Sequence, residues 1–226
     1  MVACAEAEKA GGTGSMTRER REGQRGGSFG QDRRPTPVDR LGQWLSVRQM
    51  RRVFHGLRGK SVGDFGCGYN ADLLREVLGE VASATLVDLA IAPDLQRHPK
   101  VVALEGTLPD VLAPIPAASL DAVICNNVLE HLWEPREVVR HIRRTLRPQG
   151  VAFINVPSWR GRVFLEIAAF RLHWAPAEEI DDHKRYYSPE ELWTLLVAGG
   201  FRPSEIEACG SHKLGLNSYA ACRARE

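Results

Sequence analysis

The chain has 226 residues, of which 43% are hydrophobic and 26% charged; this allows one substantial core and is too short for two large domains. Thirty Lys and Arg residues against 28 Asp and Glu residues leave a formal net charge of +2, which gives no general electrostatic case for binding nucleic acid or a membrane surface. No apolar run approaches the roughly 18 to 20 residues of a membrane-spanning helix, and the charged N-terminus lacks the apolar centre of a signal peptide.

Five cysteines are spread along the chain without a pattern that binds metal. They are Cys4, Cys67, Cys125, Cys209 and Cys222. No two of them form a CxxC pair, and no Cys/His cluster has the spacing of a zinc site. Scattered cysteines of this kind are typical of a reducing compartment. We therefore expect a cytoplasmic protein without a metal site.

The first 37 residues have the composition of a disordered tail. Residues 1–40 hold seven of the 21 glycines, eight basic residues and six acidic residues, with few large apolar side chains. Burial of so little apolar surface cannot offset the entropy lost on ordering. The arginines are interleaved with acids, so we do not expect nucleic acid as a partner. We predict a tail over 1–37 and a single domain over 38–226.

Two stretches of the domain show helical signals. Apolar residues recur at three- and four-residue steps after Val38, which predicts an N-terminal helix over 38–58. Near the C-terminus, Ser188 is followed three residues later by Glu191, a spacing that predicts a capping box at the start of a second helix.

Between these helices, residues 60–156 alternate between short apolar runs and helical stretches. Ser61–Phe65 and Leu120–Cys125 are two of the apolar runs. Strand, helix and strand in repetition predict a parallel sheet that is covered by helices. Two further apolar runs follow the second helix, so we expect the last strands of the sheet within 188–223.

A glycine-rich turn follows the first of these strands. Gly66 and Gly68 lie where the strand passes into a helix, and glycine at such a bend lets a ligand approach the backbone. Asp88 ends the next apolar run, where a carboxylate can accept hydrogen bonds from both hydroxyls of a ribose. Together they predict a nucleoside pocket; the alternative for the loop alone is a tight turn with buried glycines.

Asp64 distinguishes between two nucleoside cofactors. Residues 66–71 also satisfy the GxGxxA pattern of NAD-binding proteins. An acid two positions before the first glycine suits a cationic amino group and opposes a pyrophosphate. The sequence therefore favours S-adenosylmethionine over a dinucleotide.

With these residues the sequence resembles the class I S-adenosylmethionine-dependent methyltransferases, particularly the broad branch of quinone-biosynthesis and small-molecule enzymes. The resemblance covers about residues 60 to 223, and further segments support it in the family's order: 120–131, 146–150, 183–187 and 198–201. It implies an α/β, Rossmann-like, doubly wound sheet of seven mostly parallel strands with an antiparallel last strand and helices on both faces.

The resemblance also implies a set of cofactor-binding residues. Asp64 and the glycines would hold the methionyl end, Asp88 the ribose, and Leu89 the adenine. Asn126 would direct its backbone carbonyl toward the methionyl ammonium, and Thr107 stands where many relatives have an acid that accepts from the adenine amino group. The complete set is Asp64, Gly66, Cys67, Gly68, Asp88, Leu89, Thr107, Leu108 and Asn126.

The catalytic candidates follow from the chemistry of methyl transfer. Displacement from a sulfonium needs alignment and exclusion of water, but neither a metal nor a covalent intermediate. A hydroxyl acceptor also needs a general base within about 3 Å of its proton. His131, His183 and Asp182 are the candidates, each weighed against a purely structural role.

Relatives build their acceptor pocket and lid from the segment that corresponds to 157–187. Here it holds Trp159, Phe164, Tyr186 and Tyr187, which we expect to contact a hydrophobic or amphipathic acceptor. The alternative is a helix that packs on the core or on a second subunit.

The sequence therefore predicts an enzyme that methylates an oxygen, or less readily a nitrogen or carbon, of a small molecule. One alternative is a non-catalytic protein that binds S-adenosylmethionine. Another is an NAD-linked oxidoreductase, although the chain lacks an evident Tyr-x-x-x-Lys motif. Oligomeric state is left open.

Overall fold

The computed structural model describes residues 27–31, 36–167 and 182–225. Its strands are β1 (Ser61–Phe65), β2 (Ser83–Asp88), β3 (Val101–Glu105), β4 (Leu120–Asn126), β5 (Leu146–Pro157), β6 (Ile206–His212) and β7 (Asn217–Arg223). Its α-helices are α1 (Pro37–Phe54), α2 (Asp72–Arg75), α3 (Pro93–Gln96), α4 (Pro135–Thr145), α5 (Trp159–Glu166) and α6 (Pro189–Ala198). Within these ranges, no helix is both long and apolar enough to cross a membrane.

The strands form one seven-stranded sheet of order β3-β2-β1-β4-β5-β7-β6. All pairs from β3 to β5 are parallel, whereas β7 is antiparallel to both β5 and β6. The predicted fold class, including the antiparallel last strand, is confirmed. Because β1 and β4 are adjacent and parallel in the centre, their carboxyl ends open at the same edge, where ligands bind in open α/β sheets.

Helices cover both faces of the sheet, as predicted. Side chains along β4 alternate between two apolar cores: Val123 packs with α4 and α6, and Ile124 packs with α1, α2 and α3 on the opposite face. Burial on both faces explains why the central strands are continuous apolar runs rather than alternating ones.

Helix α1 begins and ends close to the predicted bounds of 38–58. Thr36 caps its start: the Thr36 hydroxyl accepts from the Asp39 amide, and the Asp39 carboxylate accepts from the Thr36 amide. The helix ends at Phe54 because His55 takes a left-handed conformation with φ of 49°. Met50 and Phe54 are its buried anchors in the core.

The predicted capping box of the second helix is confirmed in α6. The Ser188 hydroxyl accepts from the Glu191 amide at 3.2 Å, and the Glu191 carboxylate accepts from the Ser188 amide at 2.7 Å. Glu191 also accepts from the indole N–H of Trp159 at 2.9 Å. Glu191, in the first turn of α6, therefore also fixes the position of Trp159 at the beginning of α5.

A buried ion pair joins α4 to the C-terminal strands. Glu205 is fully buried, and its carboxylate accepts two hydrogen bonds from the guanidinium of Arg143, at 3.1 and 2.7 Å. The backbone amides of Arg202 and Arg225 donate to the same carboxylate. Burial acts to raise the pKa of Glu205, but these donors outweigh it and hold the pKa below its usual value.

We expect Glu205→Gln to lower the free energy of unfolding at pH 7 by about 1.5 to 3 kcal/mol, the usual worth of a hydrogen bond to a charged group. Because the folded-state pKa of Glu205 is depressed, its contribution is present above the unfolded-state pKa and is lost as the pH falls through the folded-state pKa. Urea unfolding at several pH values measures both effects. The control is Glu207→Gln on β6, where the pair with Arg223 is partly exposed; an equal loss in both variants would contradict the assignment.

Candidate active site

The glycine loop connects β1 to α2 and is tied to β2. The amide of Gly66 donates to the Val87 carbonyl at 2.8 Å. Gly66 has a φ of +78°, and a Cβ there would lie 2.3 Å from a methyl carbon of Val128. Any larger residue would therefore displace both the loop and the segment after β4. The glycine at this position is required by the close approach and by the backbone conformation.

Asp88, at the end of β2, organises this loop. Its carboxylate accepts from the Gly68 amide at 2.7 Å and from the Leu89 amide at 2.8 Å. The two amides come from the loops after β1 and after β2, so one carboxylate joins them. Gly68, Asp88 and Leu89 line the same cavity; a ribose site at Asp88 stays a prediction.

Residues 27–31 also contact this site, which the sequence did not indicate. The Ser28 hydroxyl donates to Asp88 and accepts from the Ala90 amide at 2.7 Å. The Phe29 carbonyl accepts from the Tyr69 amide at 2.9 Å. This part of the expected tail is thus packed on the domain, with Ser28 buried. The tail's other residues, 1–26 and 32–35, lie outside the described ranges.

Asp64 lies beneath the glycine loop at the end of β1. It is 2% exposed and does not itself line the cavity. Burial, followed by the charges of Asp88 and Asp72, raises its pKa to about 8. Among the described residues, its Oδ2 atom has no hydrogen-bond partner. A buried carboxyl oxygen without a donor is costly, and a cationic ligand group would compensate for it.

The thiol of Cys67 lies beside these acids. Burial and the charges of Asp64 and Asp88 raise its pKa well above the usual value. The thiol therefore stays protonated at neutral pH and is a poor nucleophile.

The adenine side of the cavity is formed by the loops after β2 and β3. Leu89, Thr107 and Leu108 all line it. Glu105 does not point into it, because its carboxylate accepts from the Ile91 amide at 2.7 Å and from the Gln96 amide group at 3.0 Å. Thr107, rather than the carboxylate of Glu105, therefore lies at the cavity wall.

At the end of β4, Asn126 joins a network of asparagines that the sequence did not reveal. The side-chain amide of Asn155 donates to the side-chain oxygens of Asn126 at 3.0 Å and Asn127 at 3.1 Å. Asn217, at the start of β7, also donates to Asn127, at 3.3 Å. Asn127 has a left-handed φ of 54°. The network fixes the chain where Asn126 and Asn127 line the cavity.

The three catalytic candidates lie together and line the same cavity. His131 Nδ1 lies 2.9 Å from Asp182 Oδ2, and the rings of His131 and His183 are 4.6 Å apart between centroids. The other Asp182 oxygen accepts from the Lys184 ammonium at 2.7 Å. Burial acts to raise the pKa of Asp182, but the hydrogen bonds from His131 and Lys184 hold it well below its usual range. Asp182 is therefore a carboxylate that can orient an imidazole.

The backbone of this cluster is tied to Glu130. The amide of Lys184 donates to the Glu130 carbonyl at 2.8 Å, which brings the segment after residue 182 against the turn that follows β4. The side chain of Glu130 is fully buried, and its Oε1 lies 4.0 Å from His131 Nε2. Glu130 lines the cavity with the two histidines, although the sequence did not single it out.

Of the four predicted substrate-binding residues, the structure places only Phe164 on the cavity wall. Tyr187 is instead 5% exposed and belongs to the core; burial raises its pKa to about 12. Tyr186 contacts His183 Nδ1 through its hydroxyl at 3.1 Å and packs against Trp159. Trp159, Tyr186 and Tyr187 therefore lie outside the cavity lining. The remainder of the predicted lid, 168–181, lies outside the described residues.

The cavity has a volume of about 490 Å³ and extends from Asp88 to the histidines. Other parts of its wall come from α1 and from the turn between β6 and β7. The sequence did not indicate that either of them belongs to the site. Leu41, Leu45 and Leu214 are apolar members of these walls. Burial lowers the pKa of Lys213 in the same turn to about 8, and the Glu130 carboxylate acts in the opposite direction.

Comparison with known proteins gives the family. A family model described as "Methyltransferase domain" matches residues 39–206. A probable S-adenosylmethionine-dependent methyltransferase of Mycolicibacterium smegmatis is 31% identical over 156 residues, which cover 67% of this chain and 55% of that protein. A ubiquinone biosynthesis O-methyltransferase of Idiomarina loihiensis is 33% identical over 168 residues, covering 67% of this chain and 65% of that protein. The chain thus spans less than two thirds of these relatives.

Solved structures share the fold at low sequence identity. The 1,6-didemethyltoxoflavin-N1-methyltransferase of Burkholderia thailandensis, with its substrate and S-adenosylhomocysteine bound, has a TM-score of 0.59 at 19% identity and covers 84% of this chain and 80% of its own. The [4+2]-cyclase SpnF has a TM-score of 0.61 at 16% identity, covering 88% of this chain and 86% of its own. At these identities the likeness shows the fold alone.

The family match at 39–206 takes in the strands from β1 to β5 and helix α6. Asp88 and the glycine loop, which lie within the matched region, line the cavity where a nucleoside cofactor is expected. The chain therefore belongs to the S-adenosylmethionine-dependent methyltransferases, and S-adenosylmethionine is its cofactor.

Proposed function

We propose that the enzyme methylates a hydroxyl oxygen of a small hydrophobic or amphipathic molecule. The observation that carries this proposal is that the paired Asp182 and His131 line the same cavity as the glycine loop and Asp88. When bound, S-adenosylmethionine supplies a methyl group on a positively charged sulfur. The residues of this chain then align the acceptor, exclude water and remove a proton.

The residues around the glycine loop fit the cofactor. We assign the methionyl ammonium to Asp64, whose buried Oδ2 lacks a partner among the described residues. We assign the ribose hydroxyls to Asp88, which the Gly68 and Leu89 amides hold as an acceptor. Leu89, Thr107 and Leu108 then form the adenine wall. A buried acid at Asp64 disfavours the pyrophosphate of NAD, so the oxidoreductase alternative loses support.

The histidine cluster supplies the proton acceptor. Asp182 bonds Nδ1 of His131, so the proton-accepting atom of that ring is Nε2, and the low pKa of Asp182 keeps a negative charge that stabilises the imidazolium formed. His183 lies against the His131 ring and is oriented by the Tyr186 hydroxyl. A hydroxyl acceptor needs such a base, which supports oxygen over nitrogen or carbon and catalysis over simple cofactor binding.

The acceptor end of the cavity is apolar at its rim. Leu41, Phe164 and Leu214 line the wall and are 59%, 41% and 97% exposed. Exposed apolar side chains around a concave site are typical of binding surfaces. We therefore assign to the acceptor a hydroxyl that reaches His131 and an apolar body that contacts this rim.

We also propose that the enzyme works in the cytoplasm. The described cysteines, Cys67, Cys125, Cys209 and Cys222, are all free thiols. Reduced thiols are usual in that compartment.

Transfer of tritium from methyl-labelled S-adenosylmethionine tests the function. The panel pairs phenols and aliphatic alcohols that carry apolar tails with the corresponding amines. We expect labelled methyl ethers and S-adenosylhomocysteine, with kcat about 10² to 10⁴ lower in His131→Gln and an unchanged cofactor Kd. His55→Asn, on the exposed end of α1, is the control with unchanged kcat. Methylation of the amines alone, or a wild-type rate in His131→Gln, would overturn the proposal.

Asp88→Ala should weaken S-adenosylhomocysteine binding by about 1.5 to 3 kcal/mol, more than tenfold in Kd, because hydrogen bonds to a charged group are lost. Isothermal titration calorimetry measures the Kd. Asp94→Asn is the matched control, since that carboxylate pairs with Arg75 on the surface. An unchanged Kd in Asp88→Ala would place the ribose elsewhere.

Cofactor binding should release a proton at pH 7. Without ligand, the pKa of Asp64 is about 8, so this group is mostly protonated at pH 7. A cationic ammonium favours the carboxylate and lowers that pKa, so affinity should rise with pH up to about 8 and then level off. Calorimetry in two buffers of different ionisation enthalpy counts the proton, and Asp64→Asn should abolish its release. Equal observed enthalpies for the wild type in both buffers would contradict the assignment.

A further inference from the structure

We propose that Glu130, His131 and His183 form a binding site for a divalent first-row transition-metal cation. Each residue offers one ligand atom, and the three atoms lie within 4.8 Å of one another. Two imidazoles and one carboxylate are a ligand set that binds Zn²⁺ and Fe²⁺ well and Mg²⁺ poorly. The three side chains also line the cavity, so further coordination positions would face the acceptor.

Metal binding requires the three ligand atoms to move closer together. In a tetrahedral site, ligand atoms at about 2.1 Å from the cation lie about 3.4 Å from one another. Glu130 Oε1 and His131 Nε2 are 4.0 Å apart, too far for a hydrogen bond between them. The carboxylate belongs to the turn after β4, and His183 to the segment that is tied to this turn through the Glu130 carbonyl. Rotation of these side chains about their χ angles would bring the three ligand atoms to this spacing.

Both histidines have the supporting contacts of metal ligands. His131 uses Nδ1 to contact the carboxylate of Asp182, and His183 uses Nδ1 to contact the hydroxyl of Tyr186. A carboxylate or hydroxyl on one ring nitrogen fixes the ring and makes the other nitrogen a better ligand. The two Nε2 atoms would then coordinate the cation. This pairing of ligand and supporting group occurs at both histidines independently.

The charges of the site also suit a cation. Glu130 is fully buried, and a buried carboxylate needs a compensating positive charge. The ammonium of Lys184 is paired with the neighbouring Asp182 at 2.7 Å. A divalent cation between the Glu130 carboxylate and the two imidazoles would place positive charge next to this buried acid.

The cation would change how the acceptor loses its proton, a role that rests on the proposed function. An acceptor hydroxyl on the metal would have a lowered pKa and form its oxyanion near neutral pH. With the cation bound, His131 Nε2 would be a ligand and would not accept the proton, which would leave to solvent; the role of His131 as a base belongs to the metal-free enzyme. The methyl group would form its new bond to that oxygen as its bond to sulfur breaks.

Calorimetry with ZnCl₂ tests the site, on chelator-treated full-length protein without a histidine tag. We expect one equivalent of Zn²⁺ to bind, MgCl₂ not to compete, and Co²⁺ in the same site to give visible absorption. His183→Ala should weaken Zn²⁺ binding at least a hundredfold and remove the Co²⁺ absorption. Asp182→Asn should weaken binding by about 10 to 100 times, as for other groups that support a metal ligand. His55→Asn is the surface control and should bind as the wild type does.

S-adenosylhomocysteine binding, measured on the same samples, separates folding from metal binding. It should be unchanged in His183→Ala and Asp182→Asn, which shows that these variants are folded. The inference is overturned if the wild type binds no stoichiometric Zn²⁺, or if His183→Ala binds it equally well. Loss of S-adenosylhomocysteine binding by the wild type would instead count against the proposed function and leave the metal result standing.

Discussion

The carboxylate of Asp88 is the contact on which the cofactor end of the cavity depends. It accepts from the amides of Gly68 and Leu89, so the loops after β1 and β2 cannot move apart without leaving the buried Gly68 amide unpaired. Parallel pairing of β1 with β2 sets the distance between these loops. The sheet register therefore determines the shape of the site.

The same contact explains why part of the cofactor end could be predicted. A strand, a glycine turn and an acid twenty residues later form a local pattern, and each member acts from its own position on one βαβ unit. Both the positive φ of Gly66 and its closeness to Val128 favour glycine at this position. The constraint is therefore visible in the sequence. Ser28 gave no such signal, because its hydroxyl reaches Asp88 across 60 positions from a segment whose composition resembles a tail.

The acceptor end could be predicted only in part. His131 and Asp182 were candidates by residue type, but their contact joins positions 51 residues apart and depends on how the segment after residue 182 meets the turn after β4. Glu130 was missed because a buried acid next to a histidine has no signature of its own. Ligand sets that are visible in a sequence have short chain spacings, whereas His131 and His183 are 52 positions apart.

The aromatic residues show the limits of assigning roles by resemblance. Tyr187 has the expected position in the chain, yet it packs in the core and its hydroxyl donates to the Leu129 carbonyl. Its neighbour Tyr186 instead reaches His183. Adjacent residues in an extended segment point in opposite directions, so one serves the core and the other the catalytic cluster. The resemblance located the segment but not which side chain faced which way.

A shared fold does not define the reaction, since a [4+2]-cyclase is among the structures that superpose on this chain. Two buried acids belong to the site: Asp64 lies in β1 behind the glycine loop, and Glu130 lines the cavity beside the histidines. A buried carboxylate is stable only with positive charge or good donors nearby. We assign the ammonium of the cofactor to Asp64, and the imidazole of His131 lies beside Glu130. Cofactor and acceptor chemistry are thus coupled to the stability of the same cavity.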